Sequence, residues 1–258
     1  RNNMTVGLPY TAISASGAVN LGVGAKDLYP TLLLQYGGDY YNQELTQTML
    51  DSSAALNAFK TWTQFYTQYS FPLSYDFNSR FRTGEMPLAV ASLSMYGILA
   101  AAAPEIRGQW EMALMPGTLQ EDGSIDRSGG ASGTAIVMMD SAENKDACWK
   151  FMCWFTEAQT QVDYTRLENL LGASARLASA NLEAFHRLNW SEAELAVLDA
   201  QRQFVREIPE LPGGYYTSRC IDNAFRAVVY QYKNERVELE KANDTINREL
   251  QRKREELS

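Results

Sequence analysis

Apolar and polar positions alternate in two registers along these 258 residues. In the first half the apolar residues gather in short runs bounded by Gly, Pro, Asn and Ser, the punctuation of strands and short helices. Met4-Thr5-Val6-Gly7-Leu8-Pro9 reads as a short strand, and residues 12–25, rich in Gly, Ser and Ala, as loop with a small helical turn. Leu28 to Gln35 is an apolar run closed by the turn Tyr36-Gly37-Gly38-Asp39. Asp51-Ser52-Ser53 is a helix-capping cluster, and the helix over 53–69 that it predicts carries Ala55, Phe59, Trp62, Phe65 and Tyr66 on one face.

The pattern continues with a strand at 87–92 and a short helix through Ile98–Ala103 that Pro104 ends. A second strand, 110–115, stops at Pro116-Gly117. The polar stretch 118–128 holds the turn Glu121-Asp122-Gly123-Ser124, and Gly129-Gly130-Ala131-Ser132-Gly133 leads into a third strand, Thr134–Met139. Asn144 to Thr156 reads as a helix with Ala147, Trp149, Phe151, Met152, Trp154 and Phe155 apolar. From 158 onward the period is helical, at 158–170, 178–186, 191–207 and 221–256. Ser191-Glu192-Ala193-Glu194 is a capping box. The tail from Asn234 reads as a long, mostly solvated helix with Val237, Leu239, Ile246 and Leu250 apolar and a Glu249–Lys253 pair one turn apart. Strand–helix alternation with a helical finish predicts an α/β domain carrying extra helices.

Charge narrows the partners. Thirty-one acidic against 23 basic residues give a net charge of −8, which disfavours nucleic acid and anionic membrane surfaces. Tyr, at 14 residues the largest part of the aromatic share, offers a flat apolar face with a polar tip and suits hydroxyl-rich ligands. Cys148 and Cys153 lie five apart on one predicted helix, so they point about 140° apart and cannot readily bridge; with Cys220 they read as free thiols without metal spacing. No apolar run reaches the roughly 18 residues of a membrane span. The opening Arg1-Asn2-Asn3 reads as the middle of a protein, so a secretory signal or lipoprotein anchor is expected upstream.

Four segments carry candidate binding chemistry. Gly129-Gly130-Ala131 lets backbone amides approach a ligand or simply turns the chain into a strand; its spacing is not a dinucleotide fingerprint and no phosphate loop follows. Tyr96 follows the strand 87–92, where open α/β folds bind ligands, and is read either as a stacking ring or as a packed surface tyrosine. Tyr215 and Tyr216, behind Gly213-Gly214 and ahead of Arg219, form a polar–aromatic clamp before the last helix. Arg176, in Gly172-Ala173-Ser174-Ala175-Arg176, is open between ligand contact and helix capping. Trp110, Trp149 and Trp154 are expected in the core, Phe81 as a plug under the strand after it, and Asp76 and Asn78 as turn caps. The single histidine, His186, lacks a triad or metal pattern, and neither G-x-S-x-G nor H-E-x-x-H is present. Catalytic residues, metal ligands and cofactors are therefore not expected. Two carboxylates suffice for a glycosidase, and Asp39, Asp76 and Glu105 have no motif to favour them.

The order Arg80-Phe81-Arg82-Thr83-Gly84-Glu85-Met86-Pro87-Leu88-Ala89-Val90, Trp110 to Gly117, Gly129 to Met139 and Pro212 to Arg219 resembles the later two-thirds of family 1 extracellular solute-binding proteins. These are the maltose-binding-protein-like, sugar-capturing components of ABC importers. The resemblance implies an α/β fold of the type II periplasmic-binding-protein kind. Residues 1–116 would then be a second-lobe α/β segment, 117–165 a hinge crossing with a first-lobe strand and helix, and 166–258 a helical return. Gly129-Gly130 would lie near the hinge, and the first lobe's opening strands before Arg1. In the family the Tyr96 slot usually holds Trp or another aromatic, and the 172–176 loop often holds a proline where Ser174 or Ala175 stands here. The implied activity is non-enzymatic: capture of a sugar or oligosaccharide between two lobes, by a monomer that then docks on a membrane permease, outside the cell or in the periplasm. The competing readings are a helical protein-interaction or sensor module, against which the irregular apolar spacing of 221–256 counts, and a carbohydrate-active enzyme.

Overall fold

A computed structural model describes residues 19–21, 25–73, 76–131, 133–170 and 179–257. In chain order the elements are β1 (Val19–Leu21), α1 (Ala25–Gln35), α2 (Ser53–Thr67), α3 (Phe77–Arg82), β2 (Leu88–Val90) and α4 (Ser94–Ala102), then a 3₁₀ turn at Pro104–Ile106. There follow β3 (Thr118–Leu119), β4 (Ile125–Asp126), β5 (Gly129–Ala131), α5 (Lys145–Thr156), α6 (Ala158–Leu170) and α7 (Leu182–His186). The last are α8 (Glu192–Arg202), β6 (Val205–Glu207), α9 (Tyr215–Gln231) and α10 (Glu235–Leu257). The strand candidate at 4–9 lies outside the described residues.

The described residues divide into two compact units. One draws on Arg1–Val90, Leu114–Ala131 and Gln201–Ser258, the other on Ala91–Ala113 and Ser132–Ala200. In the first unit α1, α2, α9 and α10 enclose the core. The run Leu28–Gln35 is helix, buried on every side, and that all-round burial explains why it lacks a polar stripe. Tyr29 and Phe59 are fully buried, Trp62 stacks on Phe225 with ring centroids 4.1 Å apart, and the Tyr29 hydroxyl donates to the Ala55 carbonyl at 3.2 Å. Ser52 caps α2 by accepting from the Ala55 amide at 3.2 Å, as its position in the sequence predicts. Leu239, Ala242, Ile246 and Leu250 of α10 fall three and four apart and are all buried, a narrow core stripe on a helix that is otherwise solvated, as the sequence predicts. Asn243 on the same face accepts from the Thr48 hydroxyl at 2.7 Å and the Leu50 amide at 3.1 Å, docking the 40–50 segment on the helix.

Several expectations are corrected. The helix expected over 221–256 is two helices, the first starting at Tyr215. Tyr232 takes the left-handed conformation (φ 56°), and the Lys233 amide reaches back to the Ala227 carbonyl at 3.2 Å, a Schellman-type stop. Asn234 then caps α10 through the Val237 amide. The helix over 191–207 ends at Arg202 and gives way to β6. That over 178–186 begins at Leu182. Gly129–Ala131 is a strand, paired in parallel with β6 in the register Gly129↔Val205, Gly130↔Arg206 and Ala131↔Glu207. The loop 118–128 closes as an antiparallel hairpin, Thr118↔Asp126 and Leu119↔Ile125, around Gly123 at φ 83°. The strand at 87–92 is β2, parallel to β1 with Leu88 opposite Val19.

The apolar segments 110–115, which spans the boundary between the units, and 134–139, in the second unit, form no strand, because no ladder partner for either lies among the described residues. Trp149 and Trp154 are 60% and 53% exposed and are not core. Trp110 is half-buried, edge-on to Tyr96. Phe81 is half-buried and stacks on Phe77 at 5.7 Å. The cysteines are free. Glu249 pairs with Arg252 at 2.6 Å in place of the Lys253 expected, and Lys253 pairs with Glu256 at 2.7 Å.

Candidate functional site

The first unit holds a tyrosine–arginine ledge at the start of α9. Tyr215 and Tyr216 occupy the first turn of the helix, not a loop before it. Tyr215 is 64% exposed, and its hydroxyl donates to Glu249 of α10 at 3.4 Å. Tyr216 is half-buried against the core, its ring 78° to that of Tyr215. The Arg219 guanidinium lies over the Tyr216 ring at 4.4 Å, one helical turn on, a cation–π contact. The turn is locked from beneath, where the Tyr41 and Thr217 hydroxyls are 3.1 Å apart and both residues are buried. Burial raises the Tyr41 pKa above the usual phenol value, and the hydrogen bond to Thr217 opposes that in part. A Cβ on Gly214 would stand 2.9 Å from the Leu211 carbonyl, so a bare backbone is needed for the chain to enter the helix here.

Gly130 owes its small size to packing. A Cβ there would lie 3.0 Å from Ile208 Cδ1 and 3.7 Å from Pro30 Cβ. Its amide donates to Thr31 Oγ1 at 3.5 Å, and the Gly129 amide donates to the Phe204 carbonyl at 3.1 Å. Strand β5 is thus fastened to α1 and β6, immediately before the chain passes into the second unit after Ala131.

Two glutamines that sequence reasoning did not single out tie these crossings together. Gln35, only 3% exposed, donates from Nε2 to the carbonyls of Pro116 (3.0 Å) and Ser128 (3.1 Å) and accepts from Thr118 Oγ1 at 3.0 Å. Gln201 accepts from the Met115 amide at 2.9 Å and donates to the Arg127 carbonyl at 3.1 Å, while Arg127 donates to the Met115 carbonyl at 2.7 Å. The sequence does carry a signal for Gln35. A lone amide closing the run Leu32-Leu33-Leu34 must find buried partners.

Tyr96 belongs to the second unit, on the first turn of α4. Its ring meets Trp110 and Trp190 edge-on at 5.4 and 5.3 Å, and its hydroxyl donates to Glu194. Glu194 also completes the capping box: the Ser191 amide donates to its carboxylate at 2.8 Å, and the Glu194 amide donates to Ser191 Oγ at 3.2 Å. Asp76 caps α3 through the Ser79 amide at 3.1 Å, and the Ser79 hydroxyl, donating at 2.6 Å, with that amide holds its carboxyl below the usual carboxylate range. Arg176 lies outside the described residues. Tyr215, Tyr216 and Arg219 are therefore brought together, the Gly129–Ala131 strand lies elsewhere in the same unit, and Tyr96 lies in the other. Among the described residues no group of three or more His, Cys, Asp or Glu side chains could hold a metal, and no helix is long and apolar enough to cross a membrane.

The fold is that of type II periplasmic binding proteins. Residues 17–187 match the family described as bacterial extracellular solute-binding protein, and the chain belongs to that family. Among solved structures it is similar to the sugar-binding protein MalE of Xanthomonas citri (16% identity, TM-score 0.74, 96% of this chain and 61% of that one). It is similar also to an ABC transporter solute-binding protein of Thermotoga lettingae bound with α-D-tagatose (15%, 0.70, 92% and 60%). A third is UgpB of Mycobacterium tuberculosis in complex with glycerophosphocholine (17%, 0.63, 95% and 61%). The chain spans about three fifths of the solved structures it matches. No curated protein matches it.

Proposed function

We propose that this chain is part of the solute-binding component of an ABC importer, one that captures a sugar or oligosaccharide between two lobes by ring stacking and hydroxyl hydrogen bonds. Family membership over residues 17–187 is the observation that carries the reading. The sugar and tagatose receptors among the structural neighbours support the carbohydrate class. The tyrosine–arginine ledge supports the mode of capture: the exposed Tyr215 supplies a ring face and Arg219, seated on Tyr216, supplies donors for hydroxyl oxygens. Gly129, Gly130 and Ala131 are proposed to contribute backbone, and Tyr96 and Arg176 side chains, when the lobes close. A monomeric receptor outside the cell or in the periplasm, lipid-anchored and docking on a membrane permease, completes the proposal.

The glycerophosphocholine complex of a relative favours one alternative cargo, a polar phosphodiester. The deciding experiment is a thermal-shift screen of the full open reading frame that encodes this chain, against mono- and oligosaccharides and glycerophosphodiesters. Ligand at 100 times its Kd adds about 2.7 kcal/mol of stability. A shift confined to sugars, and reduced by Tyr215→Ala with Tyr216→Ala, is expected. A shift with glycerophosphodiesters alone would replace the cargo class, and stabilisation by neither would overturn the sugar reading.

A further inference from the structure

Arginines elsewhere in this chain stand against carboxylates. Arg80, Arg187, Arg226, Arg236 and Arg252 each have an Asp or Glu oxygen at 2.6 to 3.6 Å. Arg219 is exposed and differs from them. Among the described residues no carboxylate pairs with it, and its guanidinium rests on the Tyr216 ring instead.

The acidic groups around it are engaged elsewhere. Asp222, three residues further along α9 and within helical reach, accepts from Arg226 at 2.7 Å. On α10, Glu249 accepts from Arg252 through two bonds, at 2.6 and 2.9 Å, and from the Tyr215 hydroxyl. Glu256 accepts from Lys253 at 2.7 Å. The charge of Glu210, in the loop before α9, bears on Tyr41 beneath the ledge. These pairings leave Arg219 as a cation without a carboxylate of its own, one turn from the exposed Tyr215 ring.

A cation–π contact engages the charge of a guanidinium without consuming its five N–H donors. Seating the group on a ring also removes rotamer freedom before a ligand arrives, so less is lost on binding. The hydroxyls of a neutral sugar take such donors singly. A carboxylate or phosphate takes two in parallel, and charge-assisted bonds of this kind are about twice as strong as neutral ones.

We infer that Arg219 recognises an anionic group on the cargo, so that the sugar class taken at this ledge is an acidic one. The oxyanion, a uronate carboxylate or a phosphate, docks on the Arg219 fork while a ring of the same molecule stacks on Tyr215. The inference rests on the sugar-capture reading and narrows it. A net charge of −8 offers an anion no attraction at a distance, so the preference arises by contact at this residue.

The test is calorimetry with matched ligands on the product of the full open reading frame: digalacturonate against digalactose, and glucose monophosphate against glucose. At least one acid is expected to bind about 10-fold or more tighter than its neutral match, and Arg219→Gln to shrink that ratio by about 10–100-fold. Arg219→Lys keeps the charge, loses the fork and should recover part of the ratio. Preference within the first pair alone assigns a carboxylate, and within the second alone a phosphate. Neutral sugars bound as tightly as their acids would overturn the inference and leave sugar capture standing. Binding of neither acid would overturn it as well, and the thermal-shift screen with neutral sugars then judges sugar capture separately. A preference that survives Arg219→Gln would place the anion elsewhere and sink the assignment. The ligand-free melting temperature should not move in Arg219→Gln; a drop of several degrees would make the contact with Tyr216 structural packing and refute the role proposed.

Discussion

Gln35 and Ser128 stand 93 residues apart in sequence, and the Gln35 side-chain amide donates to the Ser128 carbonyl at 3.1 Å. With its bonds to Pro116 and Thr118, this one buried side chain holds both ends of the 118–128 hairpin against α1. Along the chain, the hairpin lies between the passage out of the second unit at 113/114 and the passage into it at 131/132. Fixing its root fixes where both crossings begin.

Gln35→Leu keeps the volume and removes the hydrogen bonds, leaving two carbonyls and a hydroxyl without this partner. Each orphaned buried group costs about 1–3 kcal/mol, and with partial rescue by water a total loss of about 2–4 kcal/mol is expected. Urea unfolding would read it as a lowered midpoint. A loss under about 0.5 kcal/mol would show that the clamp is not energetically important.

Gly130→Val should destabilise by about 1–3 kcal/mol, because even the first added carbon meets Ile208 Cδ1 at 3.0 Å and Pro30 stands behind. Ile208→Val in the same chain should recover part of that loss. A double-mutant cycle showing no coupling between the two positions would contradict this packing account.

Asn243→Ala should cost about 1–3 kcal/mol, by stranding the Thr48 hydroxyl and the Leu50 amide. Asn243→Asp keeps the acceptor oxygen and should lose less. Equal losses would indicate that the amide group contributes by some route other than these two bonds.

Burial raises the pKa of Tyr29 and of Tyr41. Below the ordinary phenol pKa, about 10, both states keep the proton and these groups add no pH dependence. Above it the unfolded chain ionises first and gains free energy that the folded chain cannot, so stability falls as pH rises from about 10. Tyr29→Phe should flatten that fall in alkaline urea titrations. An unaltered slope would mean that other groups govern it.

Thiol reactivity should separate the cysteines. Cys153 is exposed and Cys220 is buried with its thiol pKa raised by desolvation. An aromatic disulfide reagent should modify Cys153 quickly in the native state and Cys220 only on unfolding. Fast native labelling in a Cys148→Ser, Cys153→Ser variant would contradict the packing of α9.

Several local signals were legible. The Ser52 cap and the Ser191–Glu194 box follow from side chains reaching amides three residues away. The turn at Gly123 follows from the Glu121-Asp122-Gly123-Ser124 signal. That Tyr215, Tyr216 and Arg219 are near one another was readable from their spacing, but their place on the first turn of α9, with Arg219 over the Tyr216 ring, was not, since the helix was expected to begin at 221.

Long-range choices were not. Leu28–Gln35 became a helix because α2, α9 and β5 cover it on every side. Gly129–Ala131 became a strand because Val205–Glu207, far along the chain, lies parallel to it. Conversely, 134–139 has a strand's composition without a strand's pairing, and Trp149 and Trp154 have a core's composition without burial. Composition and capping, being local, were determined by the sequence alone. Pairing and burial depend on which distant segment arrives alongside, and only the tertiary structure decided them.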